Sequence, residues 1–569
     1  MRNSEVAAVL YEVADLLELK GVPFKPNAYR RAARSVETLK QELMEYRKSH
    51  NLRDIPGVGE AIAKKIEELL DTGKLRYLEE LREELPPGLL QIMRVPDIGP
   101  KTAMTLYREL RISSLEELKQ AAESHRIREL KGFGPKSEER ILQGLLLMRR
   151  RSGRMLLGYA YPMAERIREH ITSTAGTRLV SLGGSLRRMK ETIGDIDLLA
   201  ATDQPDKVMD AFASFPEVEE VVERGPTKSV VRLKDGTQVD LRVVKEREFG
   251  AALQYFTGSK EHNVALRSLA IDKGMKLNEY GLFSKGGELV ASEREEDIYR
   301  ALGLEIMAPE LRENRGEIEA AMYGRLPRII ELREIKGDFH VHSLASDGSA
   351  SIEEIAYACK RKGYEYVGIT DHSQSLKVAN GLSVERLRSN IDVAHNVSQR
   401  VEGVKILIGA EVDILENGDP DYPEDVMKEL DYVIGAVHSR FKMGEREMTE
   451  RVVRALSSGW MDILAHPTGR LLEQREPYAI DMEKVLDAAK ENEVCLELNA
   501  DPNRLDLSDL NCMKARERGV MIAIGTDAHS LSQLDNMVYG VATARRGWLE
   551  SKHLLNSLGV QDLVEIFSK

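Results

Sequence analysis

The sequence predicts a multidomain chain with an all-α N-terminal part, an α+β middle and a C-terminal barrel of seven β/α units. Three observations predict it. Over residues 1–150 apolar positions recur at intervals of three and four, as in Val6, Leu10, Val13 and Leu17, without alternating stretches. From about residue 155, runs of strand character appear at 178–185, 195–202, 229–234 and 237–244, with helical stretches between them. From 336 onward seven apolar runs (336–342, 364–372, 404–413, 431–438, 461–467, 494–500 and 520–529) alternate with helical stretches, the rhythm of a parallel sheet or barrel. The length, 569 residues, suits about three to five domains.

Charge narrows the function classes only after it is divided along the chain. The net charge of −12 argues, taken whole, against a nucleic-acid partner. Residues 351–569 hold 26 Lys and Arg against 37 Asp and Glu, whereas residues 101–200 hold 19 against 12, a net of +7. The acidity belongs to the C-terminal part, and a basic stretch precedes it. Cys359, Cys495 and Cys512 are too few for a disulfide framework and fit a reducing, cytoplasmic setting. The N-terminal stretch carries acids throughout and reads as an amphipathic helix, not a signal peptide. No apolar run approaches the ~20 residues that span a bilayer, so no membrane partner is expected.

The first part repeats a short element at 55–59, 95–101 and 130–136: a hydrophobic residue, a glycine, a hydrophobic residue, a second glycine, then a helix. Gly57 and Gly59, Gly99, and Gly132 and Gly134 mark it; the middle copy has Asp97 where the others have glycine. Such turns leave free backbone N–H groups at a helix start, which hold a phosphate oxygen without reading bases. Lys101 and Lys136 follow the glycines and suit an anion. The three copies resemble helix-hairpin-helix motifs, which hold DNA backbones independently of sequence.

In the middle, Gly183-Gly184-Ser185-Leu186-Arg187-Arg188 precedes Gly194-Asp195-Ile196-Asp197. On a strand Asp195 and Asp197 point to one face, and Asp240 on a later strand could complete a carboxylate cluster. Such a cluster holds a pair of Mg²⁺ or Mn²⁺ ions about 4 Å apart, which clamp the attacking and leaving oxygens of an in-line displacement. The Gly-Ser pair and Arg188 supply donors for a triphosphate.

In the last part, His340, His342, His372, His438, His466 and His529 sit at the ends of the apolar runs, joined by Asp347, Glu411 and Asp527. Catalytic groups at strand C-terminal ends are what a barrel active site requires. Imidazole with carboxylate suits Zn²⁺ or Mn²⁺. Arg440, just after His438, and Arg470, just after His466-Pro467, are placed to steady a phosphate.

With these motifs and Tyr255-Phe256-Thr257-Gly258-Ser259 followed by Asn263, residues 1–325 resemble the family X DNA polymerases of the nucleotidyltransferase superfamily. The resemblance implies a lyase-like helical domain (1–90), a fingers-like helix-hairpin-helix domain (91–150), a palm (151–256) and a helical thumb (257–325), then a linker (326–336). It implies metal binding by Asp195, Asp197 and Asp240, with Asp240 near the primer 3′-hydroxyl. It places Gly184, Ser185, Arg188 and Gly194 at the incoming triphosphate. Tyr255, Phe256 and Gly258 fall at the sugar pocket, and Asn263 at the minor-groove edge. Lys260-Glu261-His262 departs from the pattern of the family's animal members. Residues 51–78 and 27–33 resemble the lyase domain of the polymerase beta type, which makes Lys65 the candidate Schiff-base amine, with Lys64 as a neighbouring cation. Ala61 and Tyr77 stand where that domain has basic residues.

Residues 337–569 resemble the PHP (polymerase and histidinol phosphatase) family, a distorted seven-stranded β/α barrel with up to three metals. By resemblance His340, His342, Glu411 and Asp527 hold one ion. Glu411 bridges to a second with His438 and His466, and Asp347, His372 and His529 hold a third. The expected function is therefore gap-filling DNA synthesis in repair, with PHP-catalysed 3′–5′ removal of nucleotides or 3′ blocks, or cleavage at abasic sites. The expected partners are gapped or nicked DNA and dNTPs, for a monomer near the nucleoid. Two rivals are a phosphoesterase of small molecules and a DNA-end scaffold, each with a degenerate transferase module.

Overall fold

The computed structural model describes residues 3–142 and 154–567, apart from 38, 40, 42, 50, 87, 94, 96, 97, 131, 132, 135 and 139. The chain forms two compact units, Met1–Ser152 and Gly153–Lys569. Among the described residues no helix is long and apolar enough to cross a membrane.

The first unit is helical throughout its described residues. The helix Asn3–Leu19 buries the stripe seen in the sequence: Val6, Leu10, Val13 and Leu17 are each at most 2% exposed. The helices Glu60–Thr72 and Pro100–Leu110 start from Gly59 and Gly99 without any side-chain cap, so their first N–H groups face outward unpaired by the cap residue.

The second unit begins with a five-stranded sheet. In spatial order its strands are Val180–Leu182, Ile196–Ala201, Gln238–Val244, Lys228–Leu233 and Val218–Arg224. The two strands that carry carboxylates are adjacent and parallel, with Asp197 directly opposite Asp240. The edge strand Val218–Arg224 is an addition to the sequence reading. It is exposed along nearly its whole length, so it has no apolar face to announce it. The following region, expected to be helical, also contains a three-stranded antiparallel sheet of Met275–Asn278, Gly281–Ser284 and Leu289–Ala291. These strands are too short to alternate visibly.

The barrel has seven parallel strands in chain order: Gly337–Val341, Tyr366–Ile369, Lys405–Asp413, Tyr432–Ala436, Ile463–Leu464, Cys495–Asn499 and Ile522–Gly525. Val341 and Ala528 bridge the first strand to the end of the last, and His342 N donates to Ala528 O at 2.9 Å, which nearly closes the ring. Phe567 of the C-terminal helix Val560–Phe567 stacks on Tyr432 near the strand starts, 5.1 Å between rings. The ligand-bearing strand ends lie at the opposite mouth.

The sheet domain is docked on the barrel. Leu505, Tyr539 and Ala542 of the barrel domain join the core of the five-stranded sheet, and Gly158 lies against Pro502, where a Cβ would meet that ring at 2.5 Å. Arg546, 3% exposed, donates to Arg188 O (2.8 Å), Glu313 (3.0 Å) and Asp509 (2.7 Å), so one guanidinium ties three segments together.

Candidate metal centres and nucleic-acid contacts

The carboxylate centre is built on the adjacent strand pair. Asp195 immediately precedes the strand Ile196–Ala201, and Asp197 lies within it. Gly183 N donates to Asp197 O at 2.8 Å, which lays the glycine turn across this strand. A Cβ on Gly184 would fall 2.0 Å from Asp197 Oδ2, so the second glycine makes room for the carboxylate. Burial, then the Asp240 and Asp195 charges, push Asp197 up to about 6. Like charges gathered at one place are what a divalent cation neutralises, and oxygen donors alone suit Mg²⁺ or Mn²⁺. Asp195 is exposed and Asp197 and Asp240 are half-buried, and the trio is not drawn together within 4.8 Å as the histidine clusters are.

Around this centre, Tyr255 and Phe256 meet edge to face at 5.2 Å, and Arg242 lies over Phe256. Gly258 has φ +71, and a Cβ there would stand 3.1 Å from Arg188 Nη1. The Arg188 guanidinium donates to Glu313 (2.9 Å) and Thr257 O (2.5 Å). Asn263 donates to Tyr255 O and accepts from Gln254. Gly194 faces Arg154, and Ser185 O accepts from Lys190 N. His262, in the departing Lys260-Glu261-His262 stretch, is fully buried between Glu317 (2.6 Å) and Tyr299 (3.1 Å), which gives it a packing role.

The histidine centre converges on Glu411, which is 1% exposed. His372 Nδ1 lies 2.7 Å from its carboxylate, His466 Nε2 2.9 Å, His438 Nε2 3.2 Å, His340 Nε2 3.4 Å and His342 Nε2 3.6 Å. Asp527 stands 3.1 Å from His342, and Asp347 3.3 Å from His529. The ligand atoms gather in three overlapping sets: His342, Asp347, His372 and His529; His340, His342 and Asp527; His372, Glu411 and His438. His342 stacks between His372 and His529, at 4.4 and 4.2 Å, and belongs to two of these sets, while His466 meets the cluster through Glu411.

The donors fit metal ions. His340 Nε2, His342 Nδ1, His372 Nδ1 and Glu411 Oε2 are buried and lie close to opposite charges, but none is aligned for a hydrogen bond, the state of atoms that coordinate an ion. Burial and the neighbouring His529 and His372 hold His342 down to about 4. Burial opposes, but Glu411 and Asp413 overcome it and raise His438 to about 10. Glu411 and Asp527 stay well below the usual carboxylate range, because neighbouring histidines outweigh their burial.

The chain is similar at full length to the "DNA polymerase/3'-5' exonuclease PolX" of Bacillus subtilis (strain 168), 41% identical over 573 residues and covering 100% of both. The chain belongs to the family X DNA polymerases that carry a PHP domain. Family models match in the same order: a helix-hairpin-helix domain at residues 1–75, a SAM-like helix-hairpin-helix tandem at 89–145, the DNA polymerase beta thumb at 252–313 and the PHP domain at 338–501. A "Probable phosphatase" of Thermoanaerobacter sp. (strain X514) is 35% identical over 203 residues, 34% of this chain and 78% of that protein. One of Acetivibrio thermocellus is 34% identical over 205 residues.

In the helix-hairpin-helix unit of this family X chain, Gly59 and Gly99 have extended backbones that any residue adopts, and a Cβ on Gly59, Gly99 or Gly134 would meet nothing within 4 Å. Neither backbone nor packing demands glycine at Gly59 and Gly99. Gly57 differs, with φ +80 and Arg31 at 3.1 Å. Lys101 and Lys136 are exposed beside their turns. Gly132 lies outside the described residues. Lys65 Nζ sits over the Tyr77 ring at 4.6 Å, while Lys64, expected to act on it as a cation, is paired with Glu60 at 3.1 Å.

Several residues of the PHP domain escaped the sequence reading. Glu497 lies 2.6 Å from His340 Nδ1 and accepts from His466 N at 2.7 Å. Asp413 holds His438 Nδ1 at 2.7 Å. Asp371 accepts from Ser343 N and the Ser346 hydroxyl, fixing the loop before Asp347. The available signal was an acid inside an otherwise apolar strand run. Arg440 and Arg470 are corrections. Arg440 is 66% exposed and paired with Glu416, and Arg470 is spent on Arg504 O, Leu505 O and Glu191. The sequence placed them beside ligands along the chain, but their guanidinium groups are paired with Glu416 and with Arg504 O, Leu505 O and Glu191.

Proposed function

We propose that this family X chain fills short gaps in DNA at its carboxylate centre and hydrolyses DNA 3′ ends at its PHP centre. The observation that carries the reading is that one chain holds both sets of ligands, each assembled by its own sheet. Asp195, Asp197 and Asp240 would hold two Mg²⁺ or Mn²⁺ ions, which supply charge neutralisation for in-line displacement on a triphosphate. Ser185 and Gly194 would border the triphosphate, and Arg188 would reach it on exchanging Glu313 for phosphate oxygens. Tyr255, Phe256 and Gly258 would border the sugar, and Asn263 the nascent pair. At the PHP centre the nine ligands would hold up to three Zn²⁺ or Mn²⁺ ions, which polarise a phosphate and lower the pKa of water. Glu497 and Asp413 turn the His340 and His438 rings so that each Nε2 faces inward. The glycine turns would grip DNA phosphates. We place the enzyme on cytoplasmic DNA, as a monomer. We assign Lys65 no lyase role, since Lys64 is paired with Glu60 and Ala61 and Tyr77 stand where the resembling domain has basic residues.

The test is an end-labelled duplex with a short gap, given Mg²⁺ or Mn²⁺, with and without dNTPs. Extension with dNTPs and 3′ shortening without them are expected. A protein that does neither, yet dephosphorylates small phosphomonoesters, would instead be the phosphatase its PHP relatives are named for.

A further inference from the structure

The arginines around the PHP centre differ in how their donors are used. Arg451 donates to Ile414 O, Leu415 O and Ser439 O. Arg475 donates to Gly469 O and lies over Phe441. Arg470 is consumed by Arg504 O, Leu505 O and Glu191. Arg504 is the exception. Its side chain is 19% exposed, and its Nε stands 3.4 Å from Asp527 Oδ2 without hydrogen-bond alignment. Among the described residues no acceptor takes a hydrogen bond from its guanidinium.

A guanidinium carries five N–H donors in a fixed fork that matches phosphate. To leave them unmet near the interior is costly unless a ligand takes them. The loop that presents Arg504 is rigid. Leu505 is fully buried in the palm core with φ +44, Pro502 abuts Gly158, and Leu472 N donates to Asn503 O at 2.6 Å. Arg470 clamps the carbonyls of Arg504 and Leu505 and is itself held at 2.8 Å by Glu191 of the palm. The donors are therefore pre-placed at the mouth of the metal centre, not free to fold away.

We propose that Arg504 binds the non-bridging oxygens of the scissile phosphate in the PHP site, and that the palm positions it through Glu191 and Arg470. The inference rests on the hydrolytic reading above. In that reaction the oxygen of a water bonds to phosphorus and the bond from phosphorus to the 3′-oxygen of the preceding nucleotide breaks. The electron pair leaves with that oxygen, which gains a proton as the water loses one. A deoxynucleoside 5′-monophosphate and a shortened strand with a 3′-hydroxyl result. Arg504 neutralises the phosphate in this displacement and holds the monophosphate product.

The test uses the full chain loaded with Mn²⁺. Arg504→Gln should slow single-turnover shortening of end-labelled DNA between about 10- and 100-fold, the range for a lost charged hydrogen bond, and weaken binding of a deoxynucleoside monophosphate by a similar factor. Bound-metal content and gap filling should be unchanged. Arg504→Lys should recover part of both losses, and Glu191→Gln should raise KM for DNA more than it lowers kcat. Wild-type rates and monophosphate binding in Arg504→Gln would overturn the proposal. So would loss of metal in that variant, which would make Arg504 a support for Asp527 alone. A wild-type chain that shortens no DNA would defeat the hydrolytic reading, while monophosphate binding would still judge Arg504.

Discussion

Gly184→Ala tests how tightly the glycine turn and the carboxylate pair are fitted together. The added methyl would sit 2.0 Å from Asp197 Oδ2, whereas carbon contacts settle near ~3.5 Å, so something must move by about 1.5 Å. The Asp197 backbone is fixed opposite Asp240 and by the Gly183 hydrogen bond, so the carboxylate moves. A misplacement of ~1 Å at reacting groups costs about 10²-fold. Gly184 also has φ +55, where a Cβ costs ~1–2 kcal/mol of backbone energy. Gly236→Ala is the control: φ is +88 and nothing lies within 4 Å of the new Cβ, so it carries the backbone cost without the collision. Single-turnover insertion into a one-nucleotide gap should fall about 100-fold for Gly184→Ala and stay near wild type for Gly236→Ala. DNA shortening should be unaffected in both. Wild-type insertion by Gly184→Ala, or an equal loss in Gly236→Ala, would refute the reasoning.

Three further outcomes follow from the charges. Glu497→Gln should weaken metal binding at the PHP centre by about 10- to 100-fold in chelator competition; an unchanged affinity would show that His340 needs no orienting carboxylate. Loading the metal-free protein at neutral pH should release protons, because His438 and His529 are raised to about 10 and about 9 and must lose their protons to ligate; metal uptake without a pH change in weak buffer would contradict this. Glu295 is buried against Arg312 and Arg187, whose charges overcome its burial and lower it to about 2. Its contribution, about 3 kcal/mol, is present above the unfolded value of 4.5 and lost as pH falls toward 2. Glu295→Gln should therefore lower denaturant stability at pH 7 and converge with wild type in strong acid.

The parts of the fold that bury an apolar face were legible in the sequence. The seven barrel strands show as apolar runs because each is buried on both sides, and their ligands show because each ends a run. The edge strand Val218–Arg224 was not legible, since solvent on both faces leaves no alternation. Among the ligands, residue type and place were enough to nominate Glu411. That it would stand within 3.6 Å of five histidines was a matter of barrel closure. Guanidinium direction was the least legible property. Arg470 follows His466-Pro467 and looks like a phosphate ligand, yet Arg504, with no neighbouring motif, faces the centre because the palm clamps its loop. The net charge of −12 likewise concealed a stretch of +7 over residues 101–200.

In the proposed function one chain holds two independent centres with opposed reactions on DNA. The most direct measurement compares two double variants on the same end-labelled gapped duplex. Asp195→Ala with Asp197→Ala should abolish extension and leave 3′ shortening intact, and His340→Ala with His342→Ala should do the reverse. Loss of both reactions from either folded variant, or of neither, would contradict the account.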